Sequence, residues 1–236
     1  MQPFTPLFRP DRFFAERDFR TRRIIAVSLL LVFSHPIGVW GISWILQERI
    51  DGTVMVDNPN RPSESFCKAA PGSIETGCDA PAQVDRNVDT LLSEATGQVI
   101  GLVFLGILIV IVLAGCLLHA GSWLLDGEGG AATSFAVAIW GLVPILFNLL
   151  LGVGLLYMMI DPVTVTPDSN PTVWMDEFQA DLKPLEQLKP LFTGITTLWS
   201  GIIWRFGLLH KRGLAPGEAT GLAESVALVF WLLTLI

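Results

Sequence analysis

Charge is what this sequence has least of. Only 16% of its 236 residues are Asp, Glu, Lys or Arg, while 51% are hydrophobic; a water-soluble domain carries about 25% charged residues. That balance excludes an ordinary soluble domain and makes the bilayer the first solvent to consider. The motifs of familiar chemistry are also missing. There is no H-E-x-x-H, no G-x-S-x-G, no P-loop lysine and no Ser/His/Asp constellation, so an enzyme is not expected and no catalytic or cofactor-binding residue is assigned. Cysteine occurs three times, with no histidine near the closely spaced pair, and a metal site needs more ligands than that. The net charge of −7 argues against nucleic acid as a partner. No internal repeat of the kind common in secondary transporters is visible.

What is abundant is long apolar runs. A spanning helix needs about 20 mostly apolar residues, because hydrocarbon offers the backbone no partner outside the helix. Five segments are read as spans: 24–46, 97–118, 135–160, 190–209 and 219–236. The third contains Pro144 and Asn148, and the fourth is the least apolar, with Thr193, Thr196, Thr197, Ser200 and Arg205. The first run is too long for a signal peptide, begins too late, and is followed by "LQERIDGT" without an A-x-A site; it reads as an uncleaved anchor. The expected fold class is all-α, a polytopic helical membrane protein with five transmembrane helices.

Orientation follows the basic flanks, which stay in the cytoplasm. Arg9, Arg12, Arg17, Arg20, Arg22 and Arg23 precede the first span. This places the N-terminus inside and, after five crossings, the C-terminus outside, with Arg205, Lys211 and Arg212 again at the inner face. Residues 1–23 interleave Phe4, Leu7, Phe8, Phe13, Phe14 and Phe19 with those arginines, the pattern of an interfacial segment that meets anionic lipid or docks on the spans. Residues 24–236 form the membrane domain.

The outer segments, 47–96 and 161–189, hold most of the carboxylates. The first is read as a loop broken by "DNPNRPSES" and "APGSIETGCDAPAQ", and its Cys67 and Cys78 face an oxidising compartment, so a disulfide is expected between them. Residues Asp89–Glu94 are read as the start of the second helix above the bilayer. In the second outer segment Trp174, Phe178, Leu182 and Leu185 recur at helical spacing, predicting an amphipathic surface helix that Pro184 bends or shortens.

Polar groups inside a membrane are costly and are weighed one by one. His35 precedes Pro36, which frees the Val32 carbonyl and kinks the helix; this reads as a kink with a partly buried histidine, or as a proton relay if it has a partner. Glu224 lies beside a stripe of Gly217, Gly221 and Ser225, small enough for close helix approach. It is expected to bond to another helix, with His35, Asn148 or a hydroxyl of the fourth span as candidates, or to serve transport. Gly97 and Gly101 form a weaker small-residue pair, and Cys116 reads as packing.

The stretch "DGEGGAATS" between the second and third spans has phosphate-loop glycines, but Asp126 and Glu128 would repel phosphate and no lysine follows. It reads as an inner turn, with Gly127, Gly129 and Gly130 permitting the reversal and Thr133 or Ser134 capping the next helix. With its surroundings, "WLLDGEGGAATSFAVAIWGLVPILF", and with "PLFRPDRFF", five spans and the connection "LHKRGLAPGEA", the chain resembles the Yip-type membrane proteins, which are named for interaction with Ypt/Rab GTPases, in their prokaryotic branch. The resemblance implies a multi-pass protein without enzymatic activity whose eukaryotic relatives organise membrane traffic and curvature. The D-L-Y-G-P motif of the eukaryotic branch is absent, so Rab binding is not carried over.

These readings converge on a non-enzymatic protein of the cell membrane, a scaffold or organiser that contacts lipid and a membrane-protein partner or a second copy of itself. A transporter component using Glu224 and the kinked first span is the alternative.

Overall fold

The computed structural model describes residues 5–69, 77–167 and 171–234, without the side chains at 69, 171–175 and 177. Phe4, the "PGSIET" part of the first outer segment, the Trp174 side chain and the last two residues of the fifth run therefore lie outside the described residues. Among the described residues eight helices and three strands follow one another: α1 (Pro10–Glu16), α2 (Thr21–Arg49), β1 (Ile50–Asp57), α3 (Glu64–Ala69), β2 (Gln83–Asn87), α4 (Val88–Leu124), α5 (Ala131–Leu142), α6 (Ile145–Met159), β3 (Val163–Val165), α7 (Pro171–Lys211) and α8 (Pro216–Leu233).

Among the described residues three helical stretches are long and apolar enough to cross a membrane: Thr21–Arg49, Val88–Leu124 and Ala131–Met159. They contain the apolar runs at 24–46 and 97–118 and all but the last residue of 135–160. Their large side chains are largely turned outward, Leu102, Leu150 and Met158 each being more than 70% exposed. Apolar surface on that scale is incompatible with water and matches hydrocarbon. Inside, Leu31, Leu118, Val137, Leu142, Ile203, Trp204 and Leu208 fill the space between helices.

The third stretch is two helices rather than one. Pro144 cannot donate to Trp140, and α5 ends at Leu142 before α6 starts at Ile145. By contrast Pro36 lies inside an unbroken α2, and Pro184 and Pro190 inside an unbroken α7. Pro184 therefore does not shorten the helix in the second outer segment. The part of that segment from Pro171 onward and the fourth apolar run are one helix of 41 residues, about 60 Å long at 1.5 Å per residue, which is about twice a hydrocarbon core.

The all-α expectation fails at one end of the bundle. The segment after α2 is not an irregular loop: β1 pairs antiparallel with β2 and parallel with β3, in the order β2-β1-β3. "IDGTVMVD" sets Ile50, Gly52, Val54 and Val56 on one face and Asp51, Thr53, Met55 and Asp57 on the other, the period-2 geometry of a strand. Its paired residues lie 26–34 positions away on β2 and 113 away on β3, beyond the reach of local reading. Gly52, at φ 122°, approaches the Val165 carbonyl so closely that a Cβ could not be accommodated. Ile50, Val88 and Val165 form a small core beneath the sheet, with Leu46, Leu92 and Phe178 against it. The α4 helix starts at Val88, capped by Asn87, whose side chain accepts from the Asp89 N–H at 2.7 Å.

Cys67 on α3 is joined to Cys78 by a disulfide, with Cα atoms 5.6 Å apart. Cys116 is a free, exposed thiol on α4. Denatured protein is accordingly expected to bind one maleimide before reduction and three after it, by intact mass; three before reduction would exclude the bridge.

The opposite end is built from the N-terminal segment. Phe13 and Phe14 of α1 are buried in the main core, Phe13 edge-on to Trp140, and Trp199 Nε1 donates to the Leu7 carbonyl at 2.9 Å. Asp11 meets His210 at 2.6 Å and Asp18 meets Lys211 at 3.8 Å. Of the two fates read for this segment, docking on the helices is the one these contacts describe; Phe8 stays 72% exposed.

Candidate functional site

The intramembrane polar candidates do not meet. His35 Nδ1 lies 2.8 Å from the Leu31 carbonyl one turn back. A carbonyl only accepts, so the proton is on Nδ1, and the ring bonds within its own helix, α2. Asn148 on α6 donates from Nδ2 to Thr196 Oγ1 on α7 at 2.7 Å. Glu224 is exposed on the flank of α8, bonded to neither.

The glycine stripe is corrected as well. Neither Gly217 nor Gly221 has any atom within 4 Å of a Cβ built on it, and the same holds for Gly97 and Gly101. The buried face of α8 is instead Ala219, Ala223, Val226 and Ala227. Helices close on one another at Gly38 against Leu149, Gly115 against Phe135, Gly141 against Trp204 and Gly207 against Val137. None of these belongs to a G-x-x-x-G pair, which is why that pattern pointed elsewhere.

The α7 helix carries its hydroxyls without leaving them bare. Thr193, Thr196, Thr197 and Ser200 donate to the carbonyls of Lys189, Phe192, Thr193 and Thr196, at 2.6–3.0 Å. A hydroxyl bonded four residues back adds no unsatisfied donor to an apolar environment.

The most elaborate polar arrangement is the α4–α5 turn that includes "GEGG", and its organiser is Arg212, in sequence only a member of a basic flank. Arg212 is 0% exposed. Its Nε donates to Ser122 Oγ at 3.0 Å, NH1 to the carbonyls of Gly129 and Gly130, and NH2 to that of Gly127 at 3.4 Å. Its own carbonyl accepts from the Glu128 N–H at 2.7 Å. The α4–α5 turn thus wraps the side chain at the end of α7, and backbone dipoles rather than a carboxylate face the charge; among the described residues no ion pair to Arg212 is formed. The C-terminal ends of α4 and α7 both point their partial negative charge at this spot. Burial pushes the guanidinium below its ordinary pKa, yet arginine remains protonated throughout the physiological range.

The glycines have a specific task here. Gly129 adopts φ 81° and Gly213 φ 65°, and a Cβ at Gly127 would press on the Ser122 carbonyl at 2.7 Å. Asp126 also takes positive φ, at 56°. Neither Thr133 nor Ser134 caps α5, which begins at Ala131 after Gly130 as N-cap, with no side-chain cap. Ser134 is buried with Oγ 3.4 Å from His119 Nδ1, a histidine that falls inside α4 because that helix runs on to Leu124. The loop whose glycines suggested an anion cradle offers a cation its carbonyls, the opposite polarity.

A second polar feature is a groove between α7 and α8 of about 370 Å³, lined by Arg205, Glu224, Thr197, Thr220 and apolar side chains. It opens on the outer flank of the bundle, away from the packed core.

Exposed apolar helices, two structurally different ends and a filled interior define a multi-pass helical protein that is integral to a membrane. The chain belongs to the Yip1 domain family, whose model matches residues 4–236. No curated protein and no solved structure matches it.

Proposed function

We propose that this chain is a five-span, non-enzymatic organiser of the cell membrane from the prokaryotic branch of its family, with the N-terminus cytoplasmic and the C-terminus outside. The later part of α7 and α8 supply the fourth and fifth spans. The hydroxyl bonding along α7 supports the fourth, since it removes the polar cost that made 190–209 the least apolar run. One observation carries the reading: the bundle has two unlike ends around a packed core. The arginine-bearing α1, the Arg212 turn and the α7–α8 connection lie at one, the disulfide-bearing sheet at the other. That is the form of a fixed platform with a cytoplasmic and an external surface.

The transporter reading loses its motivation from the same geometry. His35, Asn148 and Glu224 lie on separate helices with separate partners or none, and a relay requires them in sequence. The organiser reading predicts stable neighbours. Crosslinking in native membranes followed by purification is expected to recover a defined membrane protein or a second copy of the chain; recovery of the uncrosslinked monomer alone would count against it.

A further inference from the structure

The groove between α7 and α8 sets unpaired charges of both signs, Arg205 and Glu224, on an apolar surface. Arg205 Nε is buried without a hydrogen-bond partner, and the guanidinium stacks 5.0 Å from the Phe206 ring centroid. Neither Arg205 nor Glu224 forms an ion pair among the described residues, although both line the groove.

The hydrogen-bond inventory restricts what can fill it. Thr197 Oγ1 donates to the Thr193 carbonyl at 2.6 Å and Thr220 Oγ1 to the Pro216 carbonyl at 2.7 Å. Both hydroxyl protons are committed, so these oxygens can only accept. Arg205 is then the sole donor among the polar side chains, and Glu224, Thr197 and Thr220 are acceptors. An occupant must bring an acceptor group for arginine and donors for the carboxylate. Leu198, Ile202, Leu228 and Trp231 make the remaining wall apolar.

Depth narrows the choice. Arg205 lies six residues before the end of α7 and Glu224 eight after the start of α8, about 9 and 12 Å from the helix ends at 1.5 Å per residue. That is close to the boundary between headgroups and acyl chains.

We propose that this groove binds a zwitterionic phospholipid with a primary-amine headgroup, its phosphate on Arg205, its ammonium on Glu224 and an acyl chain along the leucine-lined wall. The groove holds one charge of each sign, as that headgroup does. A choline headgroup has the same charges but no donor, and a glycerol headgroup has donors but leaves the carboxylate facing a net anion. The inference rests on the proposal that α7 and α8 lie in the bilayer.

The test is native mass spectrometry of the delipidated full chain, titrated with an equimolar mixture of phosphatidylethanolamine, phosphatidylcholine and phosphatidylglycerol of identical acyl chains. Retained ethanolamine lipid is expected to exceed choline lipid about fivefold, the weight of one net hydrogen bond of about 1 kcal/mol, and to exceed the glycerol lipid as well. Arg205→Gln should lower retention of all three, and Glu224→Gln should bring the ethanolamine-to-choline ratio toward one. Glu224 is exposed, so this second variant leaves packing intact.

Equal retention of the three lipids, preference for the glycerol lipid, or a ratio unchanged by Glu224→Gln would overturn the proposal. So would a dimer that both substitutions dissociate, since the two charges would then pair across copies. A separate arm labels Leu228→Cys in a Cys116→Ser background, in sealed membranes, with an aqueous maleimide. Ready labelling would mean that α8 is outside the bilayer and would remove the basis of the inference; protection combined with indiscriminate lipid binding would overturn the lipid site alone.

Discussion

Replacing Arg212 by alanine is expected to lower the stability of the folded protein by about 3–5 kcal/mol, the cost of breaking a buried, hydrogen-bonded charge arrangement. The substitution strands Ser122 Oγ and the carbonyls of Gly127, Gly129 and Gly130. It also empties the volume of a side chain that is wholly enclosed. Each stranded acceptor in a buried setting carries a desolvation penalty. Arg212→Lys should recover less than half of the loss. A lysine ammonium is a compact point with three donors, whereas the four acceptors here surround a planar fork. Unfolding of detergent-solubilised protein measures the effect, and limited proteolysis locates it: cleavage should appear first at 125–130. If Arg212→Lys were as stable as the parent chain, charge alone rather than the fork would be holding the turn.

The second large effect concerns Trp204, which is 1% exposed. Its Nε1 donates to the Ala138 carbonyl on α5 at 3.2 Å, and its ring lies 5.9 Å from that of Phe230 on α8. Gly141 lies directly beneath the indole, so that any Cβ there would overlap it. Trp204→Ala should cost about 3–5 kcal/mol through lost contact and the cavity left behind. Gly141→Ala should cost about 1–3 kcal/mol by overpacking. The two substitutions share one space and must not add. In the Trp204→Ala background the alanine at position 141 should be close to neutral, and a double-mutant cycle in detergent measures the coupling. Simple additivity would mean that the two residues do not touch.

Both effects turn on residues that pattern reading treated as ordinary. Arg212 was legible as a cation near a helix end, because the topology rule counts basic residues. Its burial depends on the α4–α5 turn reaching it from more than 80 positions away, which no local window contains. Trp204 sat in the least apolar run, where its neighbours' hydroxyls dominated the reading; the i−4 bonds that hide those hydroxyls exist only once the helix is formed.

What composition could reach was the helical, membrane-embedded character, because twenty apolar residues in a row have few other uses. The three-stranded sheet escaped because its strands are three to eight residues long and satisfy one another across distant segments. The glycine pattern misled for a related reason. Close approach depends on which face meets a neighbour, and Gly217 and Gly221 fall on the outer face of α8 while Gly141 and Gly207 meet Trp204 and Val137. Asn148 and Glu224 were recognisable as polar groups in apolar runs, but their partners are a matter of helix rotation. The "GEGG" turn was recognisable as a turn; that its carbonyls grip an arginine follows from tertiary structure alone.

The central claim is that the sheet and the Arg212 turn lie on opposite sides of one membrane. Single cysteines introduced by Asp57→Cys on β1 or Glu128→Cys in the α4–α5 turn, each in a Cys116→Ser background, test it with an impermeant maleimide on intact cells. Both parent side chains are exposed, so accessibility to the reagent depends on the membrane alone. The account predicts labelling at position 57 in intact cells and at position 128 only after permeabilisation. Labelling of position 128 from outside, or of both positions alike, would contradict it.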